Sequence, residues 1–392
     1  MATAVAATSL PNALPASRAS ATPRWYLWCV ALAVTSANVG GQWDIAWHRS
    51  IGRDGFWTAP HIAIYLCGVL AGIACGYLIL TTTFGPPAGK AASVQVLGFR
   101  GPLGAFIASW GGFAMLASAP FDNWWHGAYG LDVKILSPPH VILMGGALAV
   151  QIGALVLILG EMNRAEGLAR RWLTGLFLYG GGMILCSQLT GTMEYTSRDS
   201  MHSAMFYRVC AIAFAPVLVA LARAAGVRWA ATISAAVYTG FYLALLWLLP
   251  LAHAAPKLGP VYHQVTTLLP AGFPLLLLAP AVAIDLALQR FRAAPAWRLA
   301  LILGGLFFVA LLVVQWPFAD FLNSPLAWNA FFGSGYLDYT MGPESEMARN
   351  VYDVWEATRG EFWVGMGIAL LVAVAMARVG LAFGNWMREL RR

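Results

Sequence analysis

One aspartate and two histidines near the start of the chain have a spacing that can hold a metal ion. Asp44 and His48 are four residues apart, so on a helix their side chains lie on the same face, one turn from each other. Thr58 and Pro60 are typical of the first turn of a following helix, which would return His61 to the level of the other two. We therefore expect these three side chains to converge between two helix ends.

The same pattern occurs a second time further along the chain. Seven residue types recur in the same order, in the first copy as Asp44, Trp47, His48, Gly52, Asp54, Pro60 and His61. Their counterparts are Asp122, Trp125, His126, Gly130, Asp132, Pro139 and His140. Only 7 histidines occur in the chain and four of them fall in these copies, so internal duplication is the simplest origin. The repeat predicts a second metal site built from Asp122, His126 and His140.

The donor set limits the metals that these triads can bind. Two neutral imidazoles and one carboxylate suit copper, zinc and Fe(II), and three protein ligands leave positions open for water, dioxygen or a substrate. No methionine or thiolate cluster stands close to either triad in the sequence, which argues against a soft Cu(I) transport relay. The alternative interpretation is that each Asp and His only braces a helix end. Asp54 and Asp132 are more simply interpreted as turn-forming loop residues than as groups that orient a histidine.

The composition indicates a membrane protein. Hydrophobic residues make up 59% of the 392 residues and charged residues 10%, with a mean hydropathy of +0.67, which is more apolar than a soluble domain of this length. Ten apolar runs are long enough to span a bilayer, at 25–43, 59–83, 102–121, 138–160, 172–191, 203–223, 228–251, 267–288, 298–319 and 362–384. We predict an all-α, polytopic transmembrane bundle of about ten spans, with a parallel duplication in its first four helices.

The predicted spans divide the chain into four parts. Residues 1–23 are small and polar and are expected to form a disordered cytoplasmic tail. Residues 24–160 contain the two duplicated metal-binding units, 24–84 and 101–160. Residues 170–384 form the remaining six-helix region, and 385–392 form a second cytoplasmic tail. A long external loop at 320–360 is expected to act as a lid, an interfacial helix or a docking surface, with a helix from Met347 to Thr358.

Charge predicts the orientation of the bundle. Sixteen of the 24 Lys and Arg residues fall in the tails and in every second connection, which makes that face cytoplasmic by the positive-inside rule. The metal sites then face the periplasm or exterior of a bacterial-type inner membrane. The net charge of +7 is explained by a basic face on anionic lipid and requires no nucleic acid. Glu194, His202, His253 and His263 keep open roles, and the simplest interpretation pairs Glu194 with Arg208.

The first copy also resembles a known metal-binding segment. Its Asp-x3-His-x12-His pattern is similar to a segment of the membrane domain of the particulate methane and ammonia monooxygenases, which are copper membrane monooxygenases. The resemblance is carried by Asp44, Trp47, His48, Arg53, Asp54, Thr58, Pro60, His61, Ile62 and Tyr65. In that family the matching Asp, His and His bind copper. The resemblance therefore implies copper at Asp44, His48 and His61.

Two functional hypotheses follow from these patterns. The first is a copper-dependent, monooxygenase-like membrane oxidoreductase that takes dioxygen and a small apolar substrate, with electrons from a quinol or a periplasmic donor. Such an enzyme would work alone, as a homo-oligomer or with partner membrane proteins. The second is a non-catalytic membrane protein that stores or passes on copper or zinc. Oxygen uptake that depends on a reductant distinguishes the first hypothesis from the second.

Overall fold

A computed structural model describes residues 24–52, 54–130 and 137–391. The described part is mostly helical and contains eight helical segments that are long and apolar enough to cross a membrane, which confirms the predicted all-α membrane bundle. The α-helices are α1 (Trp25–Ser50), α2 (Ala59–Phe84), α3 (Leu103–Tyr129), α4 (Pro138–Met162), α5 (Gly167–Gly191), α6 (Met193–Thr196), α7 (Ala204–Ala213), α8 (Ala215–Ala225), α9 (Ala230–Leu248), α10 (Leu278–Arg290), α11 (Ala296–Leu322), α12 (Glu346–Arg349) and α13 (Arg359–Glu389). One of the eight long segments, Ala204–Ala225, consists of two consecutive helices, α7 and α8. The predicted tail at 1–23 lies outside the described residues.

Short elements complete the described chain. The strands β1 (Val94–Val96) and β2 (Phe99–Gly101) form an antiparallel hairpin between α2 and α3. Single 3-10 turns occur at Pro87–Lys90, Arg198–Ser200, Leu249–Leu251 and Pro325–Ala327. The last helix continues to Glu389, inside the segment that was expected to be a C-terminal tail.

Two of the ten predicted spans differ from the structure. Helix α1 has 26 residues, but it is less apolar than the eight helices that meet the composition of a span. The run at 267–288 is not one helix, because its first half has no regular secondary structure and α10 has only 13 residues. Pro270 and Pro274 explain this break, since a proline has no N–H to donate and clashes with the preceding helical turn. Hydropathy alone does not distinguish a continuous helix from an apolar run that prolines interrupt.

The non-helical segment 268–277 lies largely buried in the bundle, and side chains of neighbouring helices bind two of its backbone N–H groups. Tyr238 on α9 accepts a hydrogen bond from the N–H of Leu275 at 3.0 Å. Gln315 on α11 accepts one from the N–H of Leu276 at 2.9 Å. Non-helical backbone within a membrane bundle is tolerated where it is buried and its polar groups find partners. These bonds hold the segment between helices, on the wall of the cavity described below.

The duplicated units are two helical hairpins, α1 with α2 and α3 with α4. Small residues bring α3 and α4 close together: a Cβ atom on Gly111 would lie 2.6 Å from the carbonyl oxygen of Gly146. Close backbone approach at small residues is a common way for helices to pack in lipid. Each hairpin carries one Asp/His triad where its two helices meet, at the same end of the bundle.

The long connection after α11 differs from the prediction. Its helix is α12, which has only four residues, rather than the expected helix from Met347 to Thr358. Asn350 ends α12 in a left-handed conformation with φ of +52°, a conformation that terminates helices. The chain from 351 to 356 contains no regular secondary structure.

Candidate metal sites and the cavity that joins them

The first cluster lies where α1 ends and α2 begins, and it contains four ligand-type side chains. Nε2 of His61 is 3.3 Å from Oδ1 of Asp44 and 3.1 Å from Oδ2 of Asp54. Nε2 of His48 is 3.3 Å from Oδ2 of Asp54 and 3.8 Å from Oδ2 of Asp44. The ligand atoms of Asp44, Asp54 and His61 all lie within 4.8 Å of one another. Asp44 and His61 of the predicted triad come together here with Asp54, whereas His48 lies at the edge of this group, where it contacts the carboxylates of Asp54 and Asp44.

Asp54 is a ligand-type residue that the turn-forming interpretation missed. Its side chain is only 7% exposed and contacts the imidazoles of His48 and His61. Burial by itself raises the pKa of the Asp54 carboxyl, but hydrogen bonds from the two histidines outweigh burial and hold that pKa below its ordinary value. Asp54 is therefore part of the cluster. Its counterpart in the second copy, Asp132, lies outside the described residues.

A backbone carbonyl on the far side of the His61 ring sets the orientation of the ring. Nδ1 of His61 lies 3.0 Å from the carbonyl oxygen of Gly55, and this bond places the hydrogen of the neutral ring on Nδ1. Nε2 then faces two carboxylates and must carry a cation, which is a metal ion when one is bound and otherwise the proton that Nε2 donates to Asp54. Oδ1 of Asp44 is buried, and no donor among the described residues reaches it with hydrogen-bond geometry. The carboxylate oxygens of Asp44 and Asp54 and Nε2 of His61 therefore fit a bound metal ion.

The second cluster has the same arrangement at the end of α3 and the start of α4. Nε2 of His126 is 3.4 Å from Oδ2 of Asp122, and Nε2 of His140 is 3.4 Å from Oδ1 of the same carboxylate. The three ligand atoms lie within 4.8 Å of one another. Nδ1 of His126 is 3.3 Å from the carbonyl oxygen of Gly130, so a backbone carbonyl orients a histidine here too. All three residues predicted for this site are brought together.

The backbone around the two triads is also repeated. Gly52 and Gly130 follow the first helix of each hairpin with φ of +89° and +91°, a conformation that is unfavourable for residues with a Cβ atom. Thr58 and Ser137 immediately precede α2 and α4, as predicted, but neither side chain caps its helix. Instead, Oγ1 of Thr58 accepts a hydrogen bond from the N–H of Gly55 at 2.9 Å. The shared backbone conformation supports duplication of the whole unit.

Both clusters open into one cavity of about 730 Å³. His48 and His61 line it together with His126 and His140. Its wall also includes the extended chain near residue 270 and part of the connection between α11 and α13. A cavity of this volume is in the range of sites for small organic molecules. A molecule bound inside it can meet ligands of both clusters.

Two arginines bind the connection between α11 and α13 beside this cavity. Arg49 donates hydrogen bonds to the carboxylate of Asp338 and to the carbonyl of Pro270. Arg198 donates to the carbonyl of Ser334 at 2.8 Å. Burial lowers the pKa of Arg198 from its ordinary value. We call this connection, residues 323–358, the cover; it lines the cavity, and its expected role as a lid, an interfacial helix or a docking surface stays a prediction.

Glu194 lines the cavity, and its expected ion pair is not formed. Among the described residues Arg208 instead contacts sulfur, donating to Sδ of Met205 at 2.9 Å. Glu194 is therefore an exposed carboxylate on the wall of the cavity rather than half of a salt bridge.

The other three histidines lie outside both clusters. His202 is stacked between the rings of Trp316 and Tyr352, with centroid distances of 3.9 Å and 3.8 Å. Nδ1 of His253 lies 3.3 Å from a backbone carbonyl. Nε2 of His263 is buried and has no hydrogen-bond partner among the described residues. None of the three lines the cavity, so the four triad histidines are the ones that face it.

Sequence reasoning missed a group of methionines in the cavity wall. These residues are Met144, Met193, Met201, Met341 and Met347. The absence of a methionine cluster near the triads in the sequence does not extend to the cavity, whose wall includes these five residues. Four of the five are remote from the triads in sequence, and the only visible signal was Met144, four residues after His140 on α4.

No protein-family model, curated protein or solved structure matches this chain. The resemblance to the copper membrane monooxygenases stays an expectation from the sequence. The described part of the chain is a membrane-helical protein with two Asp/His groups whose ligand atoms are close enough together to hold a metal ion.

Proposed function

We propose that the protein is a copper-binding integral membrane oxidoreductase, related in mechanism to monooxygenases, with two metal sites. The ligands of the first site are Asp44, His48 and His61, joined by Asp54, and those of the second are Asp122, His126 and His140. One observation carries the proposal: two clusters of one design open into the same cavity. Structural bracing of helix ends would not need both clusters to face a common space.

The protein's own groups prepare each site for a metal ion. The carbonyl of Gly55 orients the His61 ring so that its Nε2 faces the cluster. Asp54 contacts both imidazoles of the first site and places a second negative charge there. Zinc and Fe(II) suit the same donors, and the family resemblance favours copper. When bound, copper supplies dioxygen binding and one-electron chemistry.

The lining of the cavity supports a small apolar or weakly polar substrate. Ile64, Leu143, Leu189 and Phe273 contribute apolar surface to the wall that also holds the triad histidines. Polar groups at a few positions, with apolar surface around them, are typical of small-molecule sites. In this proposal electrons come from a quinol or a periplasmic donor, and both sites face the periplasm.

Metal analysis tests the two sites. We expect the detergent-purified protein to hold about two metal ions per chain, and His48→Ala and His126→Ala to lower this to about one each. His253→Ala is the matched control, since its ring lies outside the cavity. Copper that is bound as Cu(II) gives an EPR signal with nitrogen couplings, which each ligand variant reduces. An unchanged metal content in both ligand variants would end the proposal.

Turnover separates the enzyme from a metal-handling protein. The enzyme is expected to consume dioxygen in purified membranes when a quinol is supplied, and the double variant His48→Ala/His126→Ala is expected to lose that uptake. Tight metal binding without uptake across a panel of small apolar substrates would favour the second candidate, a protein that handles copper or zinc. The methionines in the cavity wall are the observation that supports this second candidate.

A further inference from the structure

Methionines are concentrated in the cavity that the two clusters share. Five of the chain's 13 methionines are among the 36 residues that line it. An even distribution of 13 methionines over 392 residues would place about one there. They belong to three separate parts of the chain, namely α4, the region between α5 and α7, and the cover, so local sequence composition does not explain the group.

The positions of the methionines relate them to the ligands and to the entrance. Met144 is one turn from His140 on the same face of α4, so its thioether is next to the second cluster. Met341 and Met347 lie on the connection that covers the cavity. Met201 differs from the others, because its Sδ accepts a hydrogen bond from Nε2 of Gln315 at 3.1 Å. The remaining four methionines are the candidate donors, one of them on α4 beside the second cluster and two on the connection between α11 and α13.

Thioethers are neutral, soft donors that select Cu(I) and Ag(I) over zinc, magnesium or calcium. The chain's other soft donors are its five cysteines, all of them free, and none lines the cavity. The triads offer nitrogen and oxygen instead. A monovalent soft cation in the cavity therefore has sulfur donors available in the same space as the imidazoles.

We propose that Met144, Met193, Met341 and Met347 bind Cu(I) in the cavity and form the route by which it reaches the two Asp/His sites. The purpose of the route rests on the function proposed above, whereas thioether binding of a soft cation is testable separately. The step is ligand exchange without oxidation or reduction: Cu(I) leaves neutral sulfur donors for imidazole nitrogen and keeps its charge. Neutral thioethers suit transit, since they add no negative charge that would retain the ion.

Silver binding to the full-length protein is the first test, with Ag(I) as a redox-inert probe. The cavity variant is Met144→Leu/Met341→Leu/Met347→Leu, because Leu and Met have similar volumes and such exchanges are well tolerated in cores. The matched control is Met366→Leu/Met376→Leu/Met387→Leu on α13, outside the cavity. We expect wild type and control to bind Ag(I) equally and the cavity variant to bind it about tenfold more weakly. X-ray absorption at the metal edge should report sulfur neighbours that only the cavity variant loses.

Copper loading is the second test. When metal-free protein receives Cu(I), we expect the cavity variant to reach the same final copper content as wild type, but about tenfold more slowly. Equal silver affinity and equal loading rates in both methionine variants would overturn the route. An unchanged silver affinity with weakened binding of an apolar substrate would also overturn it, and would assign the methionines to a substrate surface.

The two proposals fail in different ways. If His48→Ala and His126→Ala keep full copper content while the cavity variant loses silver, the thioether site stands and the Asp/His sites do not. If the histidine variants lose copper while silver binding is insensitive to the cavity methionines, the Asp/His sites stand and the route does not. Thermal unfolding of each variant in detergent verifies that the comparison is made between folded proteins.

Discussion

The two Asp/His clusters share a ligand pattern but differ in what holds them in place. The connection beside the first cluster is bonded to two distant loops: the N–H of Lys257 donates to the carbonyl of Ile51 at 2.9 Å, and the N–H of Tyr339 donates to the carbonyl of Arg49 at 3.3 Å. Asp54 then adds a second carboxylate between the imidazoles. Tertiary contacts therefore organise the first cluster before any metal binds.

In the second cluster, a local contact orients one histidine. Its His126 is oriented by Gly130, which lies only four residues further along the same helix end. Side-chain exposures are 20% for Asp122, 21% for His126 and 29% for His140, against 21% for Asp44, 43% for His48, 14% for His61 and 7% for Asp54 in the first cluster, so the buried part of the first cluster is Asp54 with His61. Ligands held by surrounding contacts lose less freedom on binding. We expect the first site to bind its metal more tightly than the second.

The largest expected effects come from the carboxylate at the centre of each triad. Asp44→Asn should abolish metal binding at the first site and leave the second occupied, and Asp122→Asn should do the reverse, because each carboxylate contacts both histidines of its own triad. Elemental analysis after dialysis measures the loss, with Glu344→Gln in the exposed cover as control. A single substitution that empties both sites would show that the two clusters act as one centre.

Asp54→Asn tests the asymmetry between the clusters. Groups that contact metal ligands typically change metal affinity by 10–100-fold, so we expect a loss of that order at the first site only. Isothermal titration of metal-free protein measures both affinities, again with Glu344→Gln as control. If Asp54 were only a turn residue, the first-site affinity would not change.

Alanine at the two repeated glycines compares tertiary with local support. Gly130→Ala introduces only the strain of a positive φ, which costs about 1 kcal/mol. Gly52→Ala adds a clash, because its Cβ would lie against the hydroxyl of Tyr339. We expect Gly52→Ala to lower thermal stability and first-site affinity more than Gly130→Ala lowers those of its own site. Gly240→Ala, with open space around its Cβ position, is the control, and equal effects at Gly52 and Gly130 would contradict the difference in support.

The smallest expected effect comes from Arg49→Lys. Lysine keeps the charge but loses the planar group that contacts both Asp338 and Pro270, so the cover should open more often. We expect metal to leave the first site a few-fold faster, measured by chelator challenge, with the second site less affected. Arg228→Lys, which lies outside the cavity, is the control. Equal acceleration at both sites would mean that the cover gates the whole cavity.

Much of the fold was predictable because apolar runs of this length have one stable arrangement in lipid, a helix with its backbone groups paired internally. The run at 267–288 was the exception. Its apolar composition is that of a span, but Pro270 and Pro274 favour extended backbone, which is stable only because Tyr238 and Gln315 supply partners. Those partners are distant in sequence, so composition carried no sign of them.

The sequence by itself determined the two triads. A spacing of four residues on a helix and a helix start one loop later place Asp and His side chains together by local geometry alone. Only the tertiary structure decided that Asp54 joins the first cluster, that both clusters share one cavity, and that methionines from separate parts of the chain line it. The physical reason is that these contacts join residues on different helices and loops, whose proximity depends on how the whole bundle packs.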